Sequence, residues 1–278
     1  MSSGSALQRA VRHWRGRLGA AIVLVLVGAT VGAPLIEPQD PLAVGPSRLA
    51  APSPGHPFGT DEVGRDLLSR VLFGGRSSFG ATFSALALVV SLGMTLGSVA
   101  GFYRGWIDTL LMRATDILLA VPTLVLTLAI VGLFRPGLET VVLGLSAVWW
   151  IRYARLTRAL VLSWRERPFV EAAAALGGGD LHILRHHILP NVFAPVMVAA
   201  TLDVGTLILA VAGLSFLGLG AQPPAPEWGT MINEGKNLLF TAPHVMLFPG
   251  LAVTLAVLGF NLLGDSLNDG VADDRMIV

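Results

Sequence analysis

The sequence of 278 residues contains no cysteine and few charged residues. Without cysteine, disulfide bonds and thiolate metal sites are excluded, and the redox compartment cannot be read from the sequence. Charged residues make up 13% of the chain, about half the roughly 25% of an average soluble domain. The net charge is +1 and no basic segment is interleaved with aromatic residues, so the composition gives no support for binding to nucleic acid.

The signatures of common catalytic and metal sites are also missing. No Gly-x-x-x-x-Gly-Lys-Ser/Thr phosphate-binding loop occurs, so we do not expect this chain to hydrolyse ATP by that route. Ser215 lies one residue away from the position it would need in a nucleophile elbow, and no predicted span offers it a histidine partner. His182 and His186 are one helical turn apart, but we interpret them as surface histidines. The sequence therefore predicts no catalytic residue and no metal site.

Long apolar runs dominate what is present. Hydrophobic residues make up 53% of the chain, and the mean hydropathy is +0.69. Several runs approach the roughly 20 residues that a helix needs to cross a bilayer. We therefore predict an all-α polytopic membrane protein with six transmembrane helices. The predicted spans are residues 18–36, 79–102, 110–134, 138–151, 192–219 and 245–263.

The two ends of the chain are predicted to be short polar segments. Residues 1–17 carry four arginines and no acidic residue, and they precede the first apolar run. The same order is typical of a cleaved signal peptide, for which Val31-Gly32-Ala33 would pass as a cleavage site. We favour an uncleaved anchor because the run is long and more spans follow. Residues 268–278 are predicted to form a cytoplasmic tail.

Residues 37–77 are polar and rich in proline, and we predict an extracytoplasmic loop there. Within this loop, Thr60 can cap a helix whose apolar stripe runs from Val63 to Leu72. We expect this helix to lie in the outer membrane interface. Its acidic residues are interpreted as a solvated face and not as a carboxylate site. They are Asp61, Glu62 and Asp66.

Two groups of residues stand out inside the predicted spans. Gly93, Gly97 and Gly101 are four residues apart and share a helix face, on which a neighbouring backbone can approach closely. Polar groups in the hydrocarbon region should face protein or water. They are candidates for the lining of a translocation pathway, although hydrogen bonding between helices is the alternative role. The pathway candidates are Asp203, Ser215 and Asn261, whereas Asp116 lies near the inner end of its span and is assigned the alternative role.

The interval 163–190 lies between the fourth and fifth predicted spans. Pro168 suits the first turn of a helix, an alanine-rich run continues that helix, and the glycines at 177–179 end it. Asp180 can then cap a second short helix, which Pro190 separates from the next span. The pattern predicts a protruding helical hairpin, although an amphipathic hairpin lying on the membrane surface would have the same pattern.

Six spans place both termini on one side of the membrane. If that side is the cytoplasm, the inner segments hold thirteen of the nineteen Lys and Arg residues and the outer segments hold six. Cytoplasmic loops carry the excess of basic residues in membrane proteins. This bias therefore predicts cytoplasmic termini and a cytoplasmic 163–190 hairpin.

The hairpin also resembles a known motif. Glu171-Ala172-Ala173, Gly177 and Ile188-Leu189-Pro190 resemble the EAA loop of importer-type ABC permeases, whose coupling helix sits in a groove of the ATPase. The resemblance extends to the dipeptide, oligopeptide and nickel branch of that family. This chain departs from the branch at Val211, a position where an acidic residue is common in the branch. The segments similar to this branch are residues 56–70, 214–224 and 260–267.

The resemblance implies a permease core over residues 78–267, with the EAA loop as the site of ATPase coupling. It implies a bacterial or archaeal plasma (inner) membrane location, a second homologous permease subunit, two cytoplasmic ATPase subunits and an extracytoplasmic substrate-binding protein. No cofactor is expected on this chain, because the ATPase subunits would bind ATP and Mg. Peptides are the expected substrate class, and the particular substrate stays open.

A secondary transporter that works without ATPases is the alternative function. Such a protein would show repeat symmetry between its halves and ionisable residues clustered at mid-membrane. The sequence has no clear internal repeat and few buried ionisable residues. The importer permease is therefore the favoured hypothesis.

Overall fold

The computed structural model describes residues 14–37 and 39–276, with side chains through Asp269. Most of the predicted N-terminal segment therefore lies outside the described residues. The described residues form helices, connecting segments and two isolated β-bridges. The helices are α1 (Trp14–Val31), α2 (Ala33–Ile36), α3 (Leu67–Tyr103), α4 (Gly105–Leu119), α5 (Thr123–Gly132), α6 (Leu138–Arg165), α7 (Pro168–Ala175), α8 (Asp180–Ile183), α9 (Leu189–Phe216), α10 (Trp228–Gly235) and α11 (His244–Met276).

The chain forms two compact units. The first comprises Met1–Ser84, Ile130–Leu143 and Leu202–Val278, and the second comprises Ala85–Ala129 and Gly144–Thr201. In the first unit, α1 packs along α11. A Cβ atom on Gly19 would lie 2.8 Å from the carbonyl oxygen of Gly259, so this close helix contact depends on glycine.

The second unit is built around an apolar core. Its members come from α3, α6, the α7–α8 hairpin and the first half of α9, and most are aliphatic. This burial ties the short helices of the 163–190 interval to long helices of the same unit. The buried members are Val89, Val90, Phe102, Tyr153, Val161, Val170, Ile183, Leu184, Ile188, Val192, Val196 and Ala200.

The all-α prediction holds for the described residues, but the number of spans is smaller than six by length and composition. Four helical stretches are long and apolar enough to cross a membrane: Trp14–Val31, Leu67–Tyr103, Asp180–Phe216 and His244–Asp269. A fifth is obtained if α4 and α5 together form one broken span. Helix α6 is not among them, because its arginines lower its mean hydropathy. Six membrane-spanning helices therefore remain a prediction.

The predicted span over 110–134 is interrupted. Helix α4 ends at Leu119, α5 begins at Thr123, and the two are bent by 86°. Pro122 lies in the break, where it cannot donate a backbone hydrogen bond and disfavours helical backbone at the residue before it. The apolar run continues on both sides of Pro122, so hydropathy alone predicted one continuous span there.

The expected interfacial helix starting at Thr60 is also wrong. Residues 39–66 are irregular, and helix begins only at Leu67, from which α3 continues for 37 residues. The capping residue is Asp66, whose Oδ2 accepts a hydrogen bond from the Ser69 amide at 2.8 Å. Thr60 instead takes part in a β-bridge with Asp66, and its hydroxyl donates to the Ser47 carbonyl at 2.6 Å.

Candidate functional site

The 163–190 interval folds as a helical hairpin with a glycine joint. Pro168 occupies the start of α7, and the helix stops after Ala175. Gly177 has a φ of +83°, a backbone conformation that favours glycine, and its amide donates to the Ala174 carbonyl at 3.0 Å. Helix α8 follows at Asp180, with Gly179 in the capping position and no side-chain cap. The local sequence signals thus lead to a short helix, a tight joint and a second helix, whereas the expected cap by Asp180 is wrong.

The two faces of this hairpin differ in exposure. Glu171 and Ala172 are exposed near the start of α7, and Leu176 at the joint is 89% exposed. On the opposite face, Val170 and Ile183 are buried in the apolar core of the second unit. The hairpin therefore presents a small mixed surface on a packed apolar base.

The hairpin passes into α9 without a break, so the expected separation at Pro190 is wrong. A π-helical turn over Leu184–Ile188 joins α8 to α9, and helix continues through Pro190 to Phe216. The proline ring fits here because the wider π turn changes the hydrogen-bond register just before it. Ile188 is fully buried, Leu189 is partly buried against the same core, and Pro190 is exposed.

The EAA-motif residues therefore divide into two groups. Glu171, Ala172 and Gly177 are exposed on the hairpin surface, while Ala173 is partly buried and packs against the core. Ile188 belongs to the core beneath them. The motif thus combines surface positions with positions that hold the surface in place.

The glycine triplet on α3 lies directly against α6. A Cβ atom on Gly93 would lie 2.8 Å from the Trp150 carbonyl oxygen, and one on Gly97 would lie 2.9 Å from the Ala154 Cα. A Cβ atom on Gly101 would lie 2.9 Å from the Arg158 carbonyl oxygen. Each position leaves no room for a side chain, so the close approach of the two helix backbones requires all three glycines.

Arginines of α6 form ion pairs that sequence reasoning missed. Arg158 binds Asp108 through two nitrogens, with Nη2 donating to Oδ2 at 2.6 Å. Arg155 donates to Asp116 and to the Thr115 hydroxyl. Asp116 is exposed, which agrees with its assignment outside the candidate pathway. The pairs hold α4 against α6. In the sequence, the arginines of α6 are three residues apart and so share a helix face, but nothing in that spacing identifies their acidic partners.

The three candidate pathway residues do not form one cluster. Asp203 is buried, and Gly205, two residues later, lies against the side-chain oxygen of the mostly exposed Asn261. Ser215 is twelve residues beyond Asp203 on the same helix, which corresponds to about 18 Å at 1.5 Å per residue. The Ser215 side chain is fully buried, and its Oγ has no hydrogen-bond partner among the described residues. Asn261 thus lies against α9 at the level of Asp203, and Ser215 lies farther along the same helix.

A buried ionic cluster in the first unit was not predicted. Arg70 is 0% exposed, and its Nη2 donates to Glu234 at 2.9 Å while its Nε lies 3.4 Å from Asp61. Arg65 Nε also pairs with Asp61 at 2.6 Å, and His56 lies 3.0 Å from Asp66. The interpretation of Asp61 and Asp66 as a solvated face is therefore wrong, since both carboxylates are buried among cationic or hydrogen-bonding groups.

Helix α10 is fixed to the first turns of α3 by a second set of polar contacts. Glu227, at its capping position, accepts hydrogen bonds from the Thr230 amide and the Ser78 hydroxyl, and its side chain is fully buried. Trp228 Nε1 donates to the Val71 carbonyl at 2.8 Å. Together with the Arg70–Glu234 pair, these contacts anchor both ends of α10.

The histidines of the hairpin form a stacked surface group. The rings of His182 and His186 are 4.4 Å apart, and His186 Nδ1 lies 3.2 Å from the His182 carbonyl oxygen. In the part of the chain that the structure describes, no group of three histidine, aspartate or glutamate residues is placed to hold a metal ion. His182 and His186 are exposed and His187 is partly buried, so the group lies at the surface of the hairpin.

Comparison with known proteins identifies the family of this fold. The family of binding-protein-dependent transport system inner membrane components matches residues 93–276. The chain is 43% identical over 260 residues to the dipeptide transport system permease protein DppC of Alkalihalophilus pseudofirmus, covering 93% of this chain and 85% of the relative. It is 40% identical over 258 residues to the nickel transport system permease protein NikC of Escherichia coli K12, covering 92% and 93%.

A third relative has a different named substrate. The glutathione transport system permease protein GsiD of Pectobacterium atrosepticum is 42% identical over 220 residues, covering 79% of this chain and 73% of the relative. The family match includes α9, α11 and the whole 163–190 hairpin. The resemblance noted from the EAA motif is thereby confirmed, and the chain belongs to the binding-protein-dependent transport system inner membrane components, as a multi-pass permease subunit of an ABC importer.

Proposed function

We propose that this chain forms half of the translocation pathway of an ATP-driven importer. A second, related permease subunit would supply the other half, and two cytoplasmic ATPase subunits would bind ATP and Mg and hydrolyse the nucleotide. An extracytoplasmic binding protein would deliver the substrate. This chain itself carries out no catalysis and needs no cofactor. The proposal keeps both termini in the cytoplasm, in agreement with the excess of arginine in the inner segments.

The observation that carries the proposal is the two-faced construction of the 163–190 hairpin. Its outer surface exposes Glu171, Ala172 and Gly177, and its inner face is packed through Val170 and Ile188. A protrusion with a packed base moves as one body with the helices that it contacts, because close-packed interfaces transmit displacement. ATPase closure would therefore push the hairpin and tilt α6 and α9 with it.

The same construction explains the division of the EAA motif. Exposed Glu171 lies in the first turn of α7, where a carboxylate is favoured by the helix dipole and is free to contact a partner. Buried Ile188 and partly buried Leu189 keep the hairpin seated on the core. We therefore assign Glu171, Ala172, Ala173 and Gly177 to ATPase coupling, and Ile188, Leu189 and Pro190 to the support of that surface.

The substrate class that we propose is peptides. Two of the three relatives described above are named for dipeptide and glutathione transport, and one is named for nickel transport. In an importer of this kind the separate binding protein makes much of the selection. We assign Asp203 and Asn261 to the pathway lining because both belong to the stretch over which α9 packs against α11. Ser215 is assigned to the lining because its hydroxyl is buried and has no hydrogen-bond partner among the described residues.

The coupling role is tested by Gly177→Val, with Gly179→Val as its matched control. No atoms outside the local backbone lie within 4 Å of a Cβ atom at either position, but only Gly177 has a positive φ. Valine at position 177 should cost about 1–3 kcal/mol of local strain and change the angle of the hairpin. We expect normal membrane insertion and about a fivefold or greater loss of ATPase co-purification, since 1.4 kcal/mol corresponds to tenfold and 1 kcal/mol to about fivefold.

Two results would contradict this assignment. Undiminished transport in Gly177→Val would show that the hairpin angle does not matter for coupling. Labelling of a Glu171→Cys variant from the external side would place the hairpin on the wrong side of the membrane. The second measurement is direct because the chain has no other cysteine.

A further inference from the structure

The stem of the hairpin, residues 164–167, contacts the corner at which α3 turns into α4. Arg165 is the last residue of α6, and α7 begins shortly after it. Arg165 Nη1 donates to the Phe102 carbonyl at 2.6 Å, and its guanidinium lies over the Phe102 ring at 5.4 Å. The next residue, Glu166, accepts a hydrogen bond from Arg104 Nη2 at 2.8 Å. Two consecutive residues of the stem thus contact the last turn of α3 and the corner that follows it.

The Arg165 contact lies at the carboxyl end of α3. Helix α3 ends at Tyr103, and the last four carbonyls of an α-helix have no intrahelical partner. A cationic side chain is favoured there, because the helix dipole places partial negative charge at that end. The Phe102 side chain is buried in the same apolar core that seats the hairpin. Arg165 therefore joins the stem to α3 by a charge-assisted hydrogen bond at a residue that is itself fixed by packing.

The corner between the two helices has an unusual backbone. Arg104 is the single residue between α3 and α4, and its φ of +55° lies in the region that favours glycine. Gly105, the first residue of α4, has a φ of +64°. Non-glycine residues persist in such conformations only where the surrounding structure holds them, and they cluster at sites that switch conformation. Arg104 is held by its amide, which donates to the Ala100 carbonyl at 3.2 Å, and by its side-chain contact with Glu166.

The pair of Arg104 with Glu166 contributes little to stability. The two side chains are 45% and 71% exposed, and ion pairs in contact with water are weak. The pair instead fixes the position of a corner that has open space around it, since no atom outside the local backbone lies within 4 Å of a Cβ atom built on Gly105. Beyond the corner, α4 is paired with α6 through Asp108 and Arg158. A change at Glu166 can therefore alter the angle of the corner without disrupting a packed core.

We infer that Arg165 and Glu166 are positioning residues that carry the displacement of the hairpin into α3 and α4. The inference rests on the function proposed above, in which the ATPase subunits push the hairpin. A displaced hairpin moves Arg165 together with the end of α3, and it moves Glu166 relative to Arg104. The strained corner then turns, which changes the angle between α3 and α4. The motion thus reaches these two helices directly, in addition to α6 and α9.

The first test reverses the charge of Glu166 in the transporter reconstituted with its ATPase subunits and binding protein. Glu166→Arg should lower the transport ratio, which is the substrate transported per ATP hydrolysed, by about 2- to 30-fold, the range expected for a residue that couples two sites. Combining Arg104→Glu with Glu166→Arg restores the pair with its charges exchanged and should recover most of the ratio. Glu139→Arg is the matched control, since Glu139 is exposed at the other end of α6.

The outcomes separate this inference from the proposed function. If the unmodified transporter moves substrate without its ATPase subunits, the proposed function fails. If that transporter needs its ATPase subunits but Glu166→Arg keeps the full transport ratio, or if the double variant fails to recover it, the inference is contradicted. Glu166→Arg should also retain the co-purifying ATPase, because the docking surface is assigned to Glu171, Ala172 and Gly177. Loss of the ATPase would place Glu166 in the docking surface itself and would overturn its positioning role.

The second test separates positioning from stability. Arg104→Gly removes the pair and places glycine at the positive φ, so the unfolding temperature of the purified complex should stay unchanged or rise while the transport ratio falls. Arg113→Gly is the matched control, because Arg113 is exposed within α4. Glycine inside a helix is unfavourable, so this control should lower the unfolding temperature and keep the transport ratio. A transport ratio that follows the unfolding temperature in both variants would overturn the inference, because the corner would then matter only for folding.

Discussion

Arginine forms ion pairs in both units, but the two sets lie in opposite surroundings. In the first unit, Arg70 is fully buried and Glu234 is 23% exposed. In the second unit, Arg155 and Asp116 are 41% and 59% exposed. The buried pair needs its partner, because an uncompensated charge in a protein interior is costly. The exposed pair can open into water at little cost.

This difference separates a fixed region from one that is able to move. The contacts of Arg70, Glu227 and Trp228 hold α10 to the start of α3 with buried hydrogen bonds. The exposed Arg155–Asp116 pair between α6 and α4 is of the type that breaks and re-forms during a conformational change. We therefore expect the contacts of α10 with α3 to maintain the fold, and the exposed pairing of α6 with α4 to open and re-form while the hairpin moves.

The largest loss of stability is expected when the buried cation of Arg70 is removed. Arg70→Met should leave Arg65 as the one arginine that Asp61 and Glu234 still share, and destabilise the protein by about 3–5 kcal/mol. Thermal unfolding of the purified protein in detergent measures this change. Arg76→Met is the matched control, since Arg76 is exposed on the same helix. Equal unfolding temperatures for the two variants would contradict the structural role of Arg70.

The ionic cluster also marks the limit of what the sequence predicts. Arg70 and Glu234 are 164 residues apart, and no local pattern connects them. The prediction therefore treated Asp61 and Asp66 as a solvated face, which the structure contradicts. Their burial depends on a tertiary contact, whereas composition and periodicity report only on neighbours along the chain.

Local signals were more informative in the 163–190 hairpin. Pro168, the alanine run and Gly177 predicted a helix followed by a joint, and both are present. Pro190 was misleading, because a π-helical turn lets the helix continue through it. Pro122, by contrast, lies in a real break within the predicted 110–134 span. Whether a proline ends a helix thus depends on the hydrogen-bond register before it, which the sequence does not reveal.

A smaller loss of stability is expected where α3 packs against α6 in the second unit. Gly97→Ala would place a Cβ atom 2.9 Å from the Ala154 Cα, and such overpacking should cost about 1–3 kcal/mol. The control is Gly80→Ala on the same helix, where no atom lies within 4 Å of the added Cβ. Alanine there should be neutral or stabilising by up to about 1 kcal/mol, because it favours helix. Gly97→Ala should therefore lower the unfolding temperature, whereas Gly80→Ala should leave it unchanged or raise it.

The smallest effect should follow from breaking an exposed pair. Asp116→Asn removes the charge that Arg155 binds, and we expect a loss of about 0.2–1 kcal/mol, since water replaces the contact and Thr115 still accepts a hydrogen bond from Arg155. A double-mutant cycle with Arg155→Gln isolates the coupling free energy. A coupling as large as the effect of Arg70→Met would mean that α4 is fixed to α6 as firmly as α10 is to α3. In that case the second unit could not adjust by opening these pairs, and the hairpin would have to transmit motion through α9.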